Sequence, residues 1–297
     1  MELDYKVDRS EDCVKINTDK WLTLDTNMLS RYRISGRSVT TYLTRIVDKN
    51  LTEKWADTDK ELPQDSVVLI SRVASEVARN RAYQIDGENF YDIPITQVMG
   101  YFKDNAIDLL HFVPLSDKVL IKKINLDKQG FVHRVNDNST VGKVLRTGSS
   151  VASVSESDIV LIQDNVATEL EVGFEKFLIV PEETIVGIFN SEENLSVDNL
   201  RVINKAVLLQ EYQSSKVFDS SVLVMPELNY EEFDFSDTFN SDLFKVVAVD
   251  ENLHEISKND IILLDRNLTF YVFLNGEKYF LINGTKYISG KLQKEGV

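Results

Sequence analysis

The chain has 297 residues, 43% of them hydrophobic, and its 33 Lys+Arg against 48 Asp+Glu give a formal net charge of −15. A phosphate backbone or an anionic membrane needs a basic face, so this balance argues against nucleic acid and membrane partners. No apolar run is long enough for a spanning helix, and the one cysteine, Cys13, has no internal disulfide partner, which fits a reducing, cytoplasmic compartment.

The start, Met1-Glu-Leu-Asp-Tyr-Lys6, lacks the basic residues and apolar stretch of a signal peptide. The first expected strand is Cys13–Ile16. A long loop, Trp21 to Ser38 with a lone Gly36, separates it from a second strand at Tyr42–Val47. An acid-led apolar run follows at Asp65–Ile70, then a closing segment from Phe90 to Gly100. Lys103 to Leu110 reads as one helical turn. The series then restarts: Lys118–Ile121, a loop at Ile124–Thr140, Lys143–Thr147, Asp158–Ile162, and Phe177 to Gly187. Asn190 to Ser215 reads as a helical linker, with Ser196 as its cap and Leu200, Ile203 and Val207 on one face. A strand within Val202–Leu209 is the alternative. The third series is Ser221–Met225, a loop at Glu227–Asp242, Phe244–Val249, Asp260–Leu264, and Phe280 to Gly290.

The three closing segments match in detail. In each, Phe stands ten residues before Gly, and Val98, Ile185 or Ile288 stands two before it. Self-similarity at a fixed offset marks a repeated unit. Short β-branched runs divided by polar turns indicate small barrels or sandwiches. The chain is therefore read as all-β: three tandem small barrels at 1–105, 106–192 and 193–297, the third preceded by the short helical linker. Asp65, Asp158 and Asp260 are read as turn-stabilising residues. Phe90, Phe177 and Phe280 are read as core anchors, and Gly100, Gly187 and Gly290 as sites of a close backbone approach or a bulge.

Phe112-Val-Pro-Leu-Ser-Asp-Lys-Val-Leu-Ile-Lys-Lys123 resembles the opening strand of the GroES-type co-chaperonins, with its Pro-Leu, Asp-Lys and valine-rich run. Gly142–Leu145, Asp158–Leu161, Glu175–Leu178 and Ile185–Gly187 resemble that family's later strands, in the family's order. The third unit is similar through Asp260–Leu263, Glu277–Phe280 and Ile288–Gly290. The first is similar through Asp65, Phe90, Val98 and Gly100. The resemblance implies a GroES-like barrel in each unit. It also implies a loop between the first two strands that docks a short apolar motif onto a chaperonin. In the second unit that motif falls on Gly130, Phe131 and Val132. In the third, the loop alternates acids with Tyr230, Phe233, Phe235 and Phe239 and contains no glycine; these aromatics either insert into a partner's groove or, as the alternation of Phe233 and Phe235 with acids fits, form an edge strand packed on their own barrel. The long hairpin that forms the family's dome roof is shortened in units two and three. If all three barrels lie in one ring, whole chains cannot make the family's sevenfold ring; if one barrel per chain forms it, sevenfold assembly survives and the other barrels are additions.

No catalytic constellation emerges. His111, His133 and His254 have no metal-ligand spacing, and Cys13 has no partner, so neither metal nor cofactor is expected. A Gly-rich phosphate loop, a Rossmann fingerprint and a nucleophile elbow are all missing from the sequence. The expectation is a non-enzymatic, homo-oligomeric, co-chaperonin-like protein that assists folding or assembly by contacting a chaperonin or another large partner. The alternative is a ring-forming or adaptor component of a bacteriophage virion, located in the host cytoplasm or the virion, with virion proteins as partners.

Overall fold

The structure is a computed structural model that describes residues 12–20, 28–30, 32–34, 37–39, 42–71, 74, 77–78, 81–124, 139–163, 167–172, 175–212, 223–224, 241–265, 269–274 and 277–292. The first strands are β1 (Cys13–Asn17), β2 (Met28–Ser30), β3 (Tyr32–Ile34), β4 (Arg37–Val39) and β5 (Tyr42–Asn50). A short helix, α1 (Ala56–Glu61), precedes β6 (Val67–Ile70), β7 (Tyr83–Ile85), β8 (Glu88–Pro94) and β9 (Val98–Phe102). Next come β10 (Phe112–Pro114), β11 (Lys118–Lys123), β12 (Ser139–Thr147), β13 (Ile159–Gln163), β14 (Thr168–Val172), β15 (Glu175–Pro181), β16 (Ile185–Phe189) and β17 (Leu200–Val202). The last are β18 (Ala206–Glu211), β19 (Leu223–Val224), β20 (Ser241–Val249), β21 (Ile261–Asp265), β22 (Phe270–Leu274), β23 (Glu277–Asn283) and β24 (Ile288–Leu292).

These strands form three antiparallel sheets and one two-stranded ribbon, β3-β4. The sheet orders are β10-β9-β6-β5-β1-β8-β7, then β17-β16-β13-β12-β11-β15-β14-β2, then β19-β24-β21-β20-β18-β23-β22. The fold is all-β, as the sequence indicates, in three tandem, small barrel-like sheets. Each sheet repeats one order: a short edge strand, the closing strand, the acid-led strand, the second strand, the first strand, then the two arms of a hairpin.

Four-residue apolar runs become strands because both faces are covered. Val67, Val68, Leu69 and Ile70 are fully buried, as are Val160, Leu161 and Ile162. By contact, the described residues fall into two compact units. One takes Met1–Lys123, Val144–Ser157 and Val166–Glu182, and the other takes Ile124–Lys143, Asp158–Asn165 and Glu183–Val297. In the first unit, one core holds Val14, Ile16, Ile46 and Ile93. A second core joins Leu69, Phe102 and Phe112 to Leu120, Leu170 and Phe177. In the other unit, one core joins Leu161, Val186 and Leu200 to Leu208, Val272 and Leu281, and a second centres on Phe244, Ile262 and Phe280.

The recurring glycine sits at a bulge in all three sheets. Leu69 lies opposite Gly100 and Ile70 opposite Val98, so Met99 is the extra residue. Leu161 and Ile162 face Gly187 and Ile185, and Leu263 and Leu264 face Gly290 and Ile288, leaving Val186 and Ser289 extra. A bulge lets consecutive side chains both reach packed surroundings. Val98, Met99, Ile185 and Val186 are accordingly all buried. The Gly reading from the sequence thus acquires a geometry.

Four expectations are corrected. Among its described residues the expected helical linker holds one 3-10 turn, Val197–Asn199, and the strands β17 and β18, so the alternative of a strand within Val202–Leu209 holds in place of the helix. The third sheet's first strand is therefore Ala206–Glu211, not Ser221–Met225, whose middle forms β19 at the far edge of the sheet. Asp65 is offset by one from its supposed equivalents. It takes the left-handed position ahead of the strand (φ 61°), where the other copies have Ser157 (φ 77°) and Asn259 (φ 74°). The Ser66 carbonyl accepts from Ile46 N–H as the Asp260 carbonyl accepts from Val246 N–H. Finally, Phe177 and Phe280 are buried, but Phe90 is half-buried and lies beside Tyr83.

Candidate functional site

The candidate site is the connection between first and second strands, which recurs in each sheet. It joins β1 to β5, β11 to β12, and β18 to β20. Gly130, Phe131 and Val132 belong by sequence to the second connection. Tyr230, Phe233, Phe235 and Phe239 belong to the third. All seven lie outside the described residues. Moving the first strand to β18 leaves the four aromatics between first and second strands, where the resemblance requires them.

The stems of these connections are well defined. At the exit of β1, Thr18 N–H donates to the Asn89 carbonyl (2.8 Å) and Asn89 N–H donates to Asp19 Oδ2 (2.8 Å). Lys20 Nζ meets Glu88 Oε1 at 2.7 Å, and Asn17 Nδ2 donates to Glu88 Oε2 at 2.8 Å. The Asn89 side-chain amide and N–H hold the Asp19 carboxyl below its ordinary range. The connection therefore leaves tied to the β7–β8 hairpin. In the second sheet Ile124 N–H donates to the Val141 carbonyl (2.9 Å), and in the third Tyr212 N–H donates to the Leu243 carbonyl (2.9 Å).

Two connections also contain strands: β2, which the sequence reading missed, and β19, which it placed as the third unit's first strand. In the first, β2 pairs with β14, with Met28 opposite Val172, Leu29 opposite Glu171 and Ser30 opposite Leu170. In the third, β19 pairs with β24, with Leu223 opposite Leu292 and Val224 opposite Lys291. Met28–Leu29 is a short apolar pair, a signal too brief for a pattern argument, whereas Leu223–Val224 lies within the apolar run Val222–Met225.

The opening motif of the second sheet is structural. Lys118 is buried at 5% exposure, and its Nζ meets Asp117 Oδ1 at 2.5 Å. Gly148 packs so closely that a Cβ there would strike the Ser116 backbone, while its N–H donates to the Lys118 carbonyl (2.8 Å). His111 Nδ1 lies 2.7 Å from Asp108 Oδ1, an exposed pairing within one turn. Among the described residues no group of three His, Cys, Asp or Glu side chains is placed to hold a metal ion, and no helix is long and apolar enough to cross a membrane.

No protein-family model matches the chain. The co-chaperonin GroES of Staphylococcus saprophyticus is 35% identical over 92 residues, which cover 97% of that protein and 26% of this chain. The chain belongs to the GroES co-chaperonin family. The GroES of Staphylococcus carnosus is 28% identical over 89 residues, covering 95% of that protein and 25% of this chain. A nearly whole GroES thus fits within about a quarter of the sequence, roughly the share that one of the three sheets takes up.

Proposed function

We propose that the chain is a non-enzymatic, co-chaperonin-like binding protein made of three divergent GroES copies in tandem. It assists folding or assembly by contacting a chaperonin through the connections between first and second strands. The observation that carries this reading is the match to nearly the whole of a co-chaperonin, the GroES of Staphylococcus saprophyticus. The tandem reading is supported by the common strand order of the three sheets and by the bulge at Gly100, Gly187 and Gly290. Three such connections in one chain let individually weak contacts add through a raised effective concentration. Phe131 and Val132 carry the apolar contact. The aromatics at Tyr230, Phe233, Phe235 and Phe239 provide a second, acid-flanked one.

The test is co-purification with a bacterial chaperonin in the presence of nucleotide. The expected result is a retained complex that is weakened at least tenfold by changing Phe131 and Val132 together to Ala, since two buried apolar anchors are worth about 1.5–3 kcal/mol each. No complex with the wild-type chain, or one indifferent to this change, would contradict the assignment.

A further inference from the structure

Two junctions of the chain can be compared bond for bond. At one, β10 is the lead-in to β11; at the other, β17 is the lead-in to β18. Lys103 N–H donates to the His111 carbonyl and Asn190 N–H to the Asn199 carbonyl, both at 2.9 Å. Leu115 N–H donates to the Met99 carbonyl (3.3 Å) and Ile203 N–H to the Val186 carbonyl (3.1 Å). Phe112 of β10 therefore corresponds to Leu200 of β17, and Leu109 to Val197. The second strands match as closely. Ser157 N–H donates to the Val144 carbonyl (2.9 Å) as Asn259 N–H does to that of Val246 (2.8 Å). Gly148 N–H donates to the Lys118 carbonyl (2.8 Å) as Asp250 N–H does to that of Ala206 (3.1 Å). Arg146 of β12 therefore falls on Ala248 of β20.

That exchange changes what lies between lead-in and second strand. Carbonyls along an antiparallel strand point alternately toward and away from its partner. The His111 and Asn199 carbonyls face the closing strands, so those of Phe112 and Leu200 turn away from them. At the first junction the half-buried Arg146 takes up this position. Its Nη1 donates to the Phe112 carbonyl at 2.6 Å and to the Leu109 carbonyl at 3.3 Å. At the second junction Ala248 ends at Cβ, and the position is a groove of about 340 Å³ lined by Val197, Leu200 and Ala248. The exposed side chains of Asp198, Glu251, Arg201 and Lys258 complete the lining. This volume stands at the low end for ligand pockets, which run from about 300 to 1,000 Å³, and suits a single side chain.

We propose that this groove binds an arginine side chain presented by a partner protein, in the place that Arg146 fills at the first junction. A guanidinium is planar, weakly hydrated and carries five N–H donors in a fixed fork. Some of its donors meet the Leu200 carbonyl, as Arg146 meets Phe112, while its stem lies on Val197 and Ala248. The Asp198 and Glu251 carboxylates are at hand for the remaining donors. Arg201 and Lys258 balance those two charges, so selection rests on the outward carbonyl and on shape more than on the net charge of the groove. The charge of −15 on the whole chain draws a basic partner toward it. Lysine, a compact and strongly hydrated charge without the planar fork, fits less well. This inference goes beyond the chaperonin reading and does not depend on it.

The test titrates N-acetylarginine amide into the full chain and follows the backbone amides by NMR. The expected result is saturable shifts at Leu200, Arg201 and Ala248. N-acetyllysine amide should bind about tenfold more weakly, and the neutral N-acetylcitrulline amide more weakly than the arginine probe as well. Ala248→Arg should fill the groove from within and abolish the shifts in a chain that stays folded. Arg146→Ala should open the first junction and add a second set of shifts around Leu109 and Phe112. No saturable shift, equal binding of the lysine probe, binding retained by Ala248→Arg, unfolding of Ala248→Arg, or a folded Arg146→Ala chain with no second set would each overturn the site. A mass that rises with concentration in wild type but not in Ala248→Arg would overturn the foreign partner, since the arginine would then belong to a second copy.

Discussion

At Gly100 a Cβ would run into the Phe112 ring and the Val113 carbonyl oxygen. At Gly187 it would lie 2.5 Å from Leu200 Cδ1 and 3.3 Å from the Arg201 carbonyl oxygen. The first obstacle includes backbone, while the nearer one at Gly187 is the end of a leucine that can turn aside. Gly100→Ala should therefore cost about 1–3 kcal/mol and Gly187→Ala less, measured by denaturant unfolding. A Gly100→Ala chain as stable as wild type would remove close approach as the reason for glycine. A second residue, Asp250, is buried at 4% exposure beside the turn into β18. Burial alone would raise its pKa. The N–H groups of Asn252 (2.9 Å) and Lys205 (2.6 Å), with the Asn252 side-chain amide (2.9 Å), outweigh it and hold the carboxyl below its ordinary value of 3.8. A depressed folded pKa gives stability that is present above the unfolded value and lost as pH falls through the folded one. Asp250→Asn should thus destabilise the chain by about 1–3 kcal/mol near neutral pH, and part of the decline below about pH 4 should vanish with it. An unchanged acid limb in a pH series of thermal melts would contradict this.

At the scale of elements, the strands were legible wherever a β-branched run is buried on both faces. Val67–Ile70 and Ile159–Ile162 are such runs. Their partners Gly100 and Gly187 could be paired from the repeat alone. The stretch after Asn190 misled because Leu200, Ile203 and Val207 satisfy a helical spacing, although Ala206, Val207, Leu208 and Leu209 are consecutively buried in a strand. A short apolar run carries too few residues to separate the two periods. The Asp65 offset had a similar cause. A left-handed turn position accepts Asp, Ser or Asn, so one acidic letter fell on the turn in the first sheet and on the following residue in the others. The candidate loops were legible as positions, through their place between first and second strands. The edges that β2 and β19 cover were not, because strand pairing across modules depends on register and not on local pattern.

At the scale of the whole molecule, each closing edge is covered, twice by the following sheet's lead-in and once by β19. A β-rich chain with a net charge of −15 gains further protection from self-repulsion against unplanned edge pairing. In the proposed function the first-to-second connections are the segments that meet a chaperonin. The most direct measurement is electron microscopy of the purified chain mixed with chaperonin and nucleotide. The account predicts added density at the open end of the chaperonin, reached through the Ile124–Thr140 and Glu227–Asp242 loops. Bare chaperonin beside free particles of this protein, under conditions in which a GroES from the same family does bind, would contradict it.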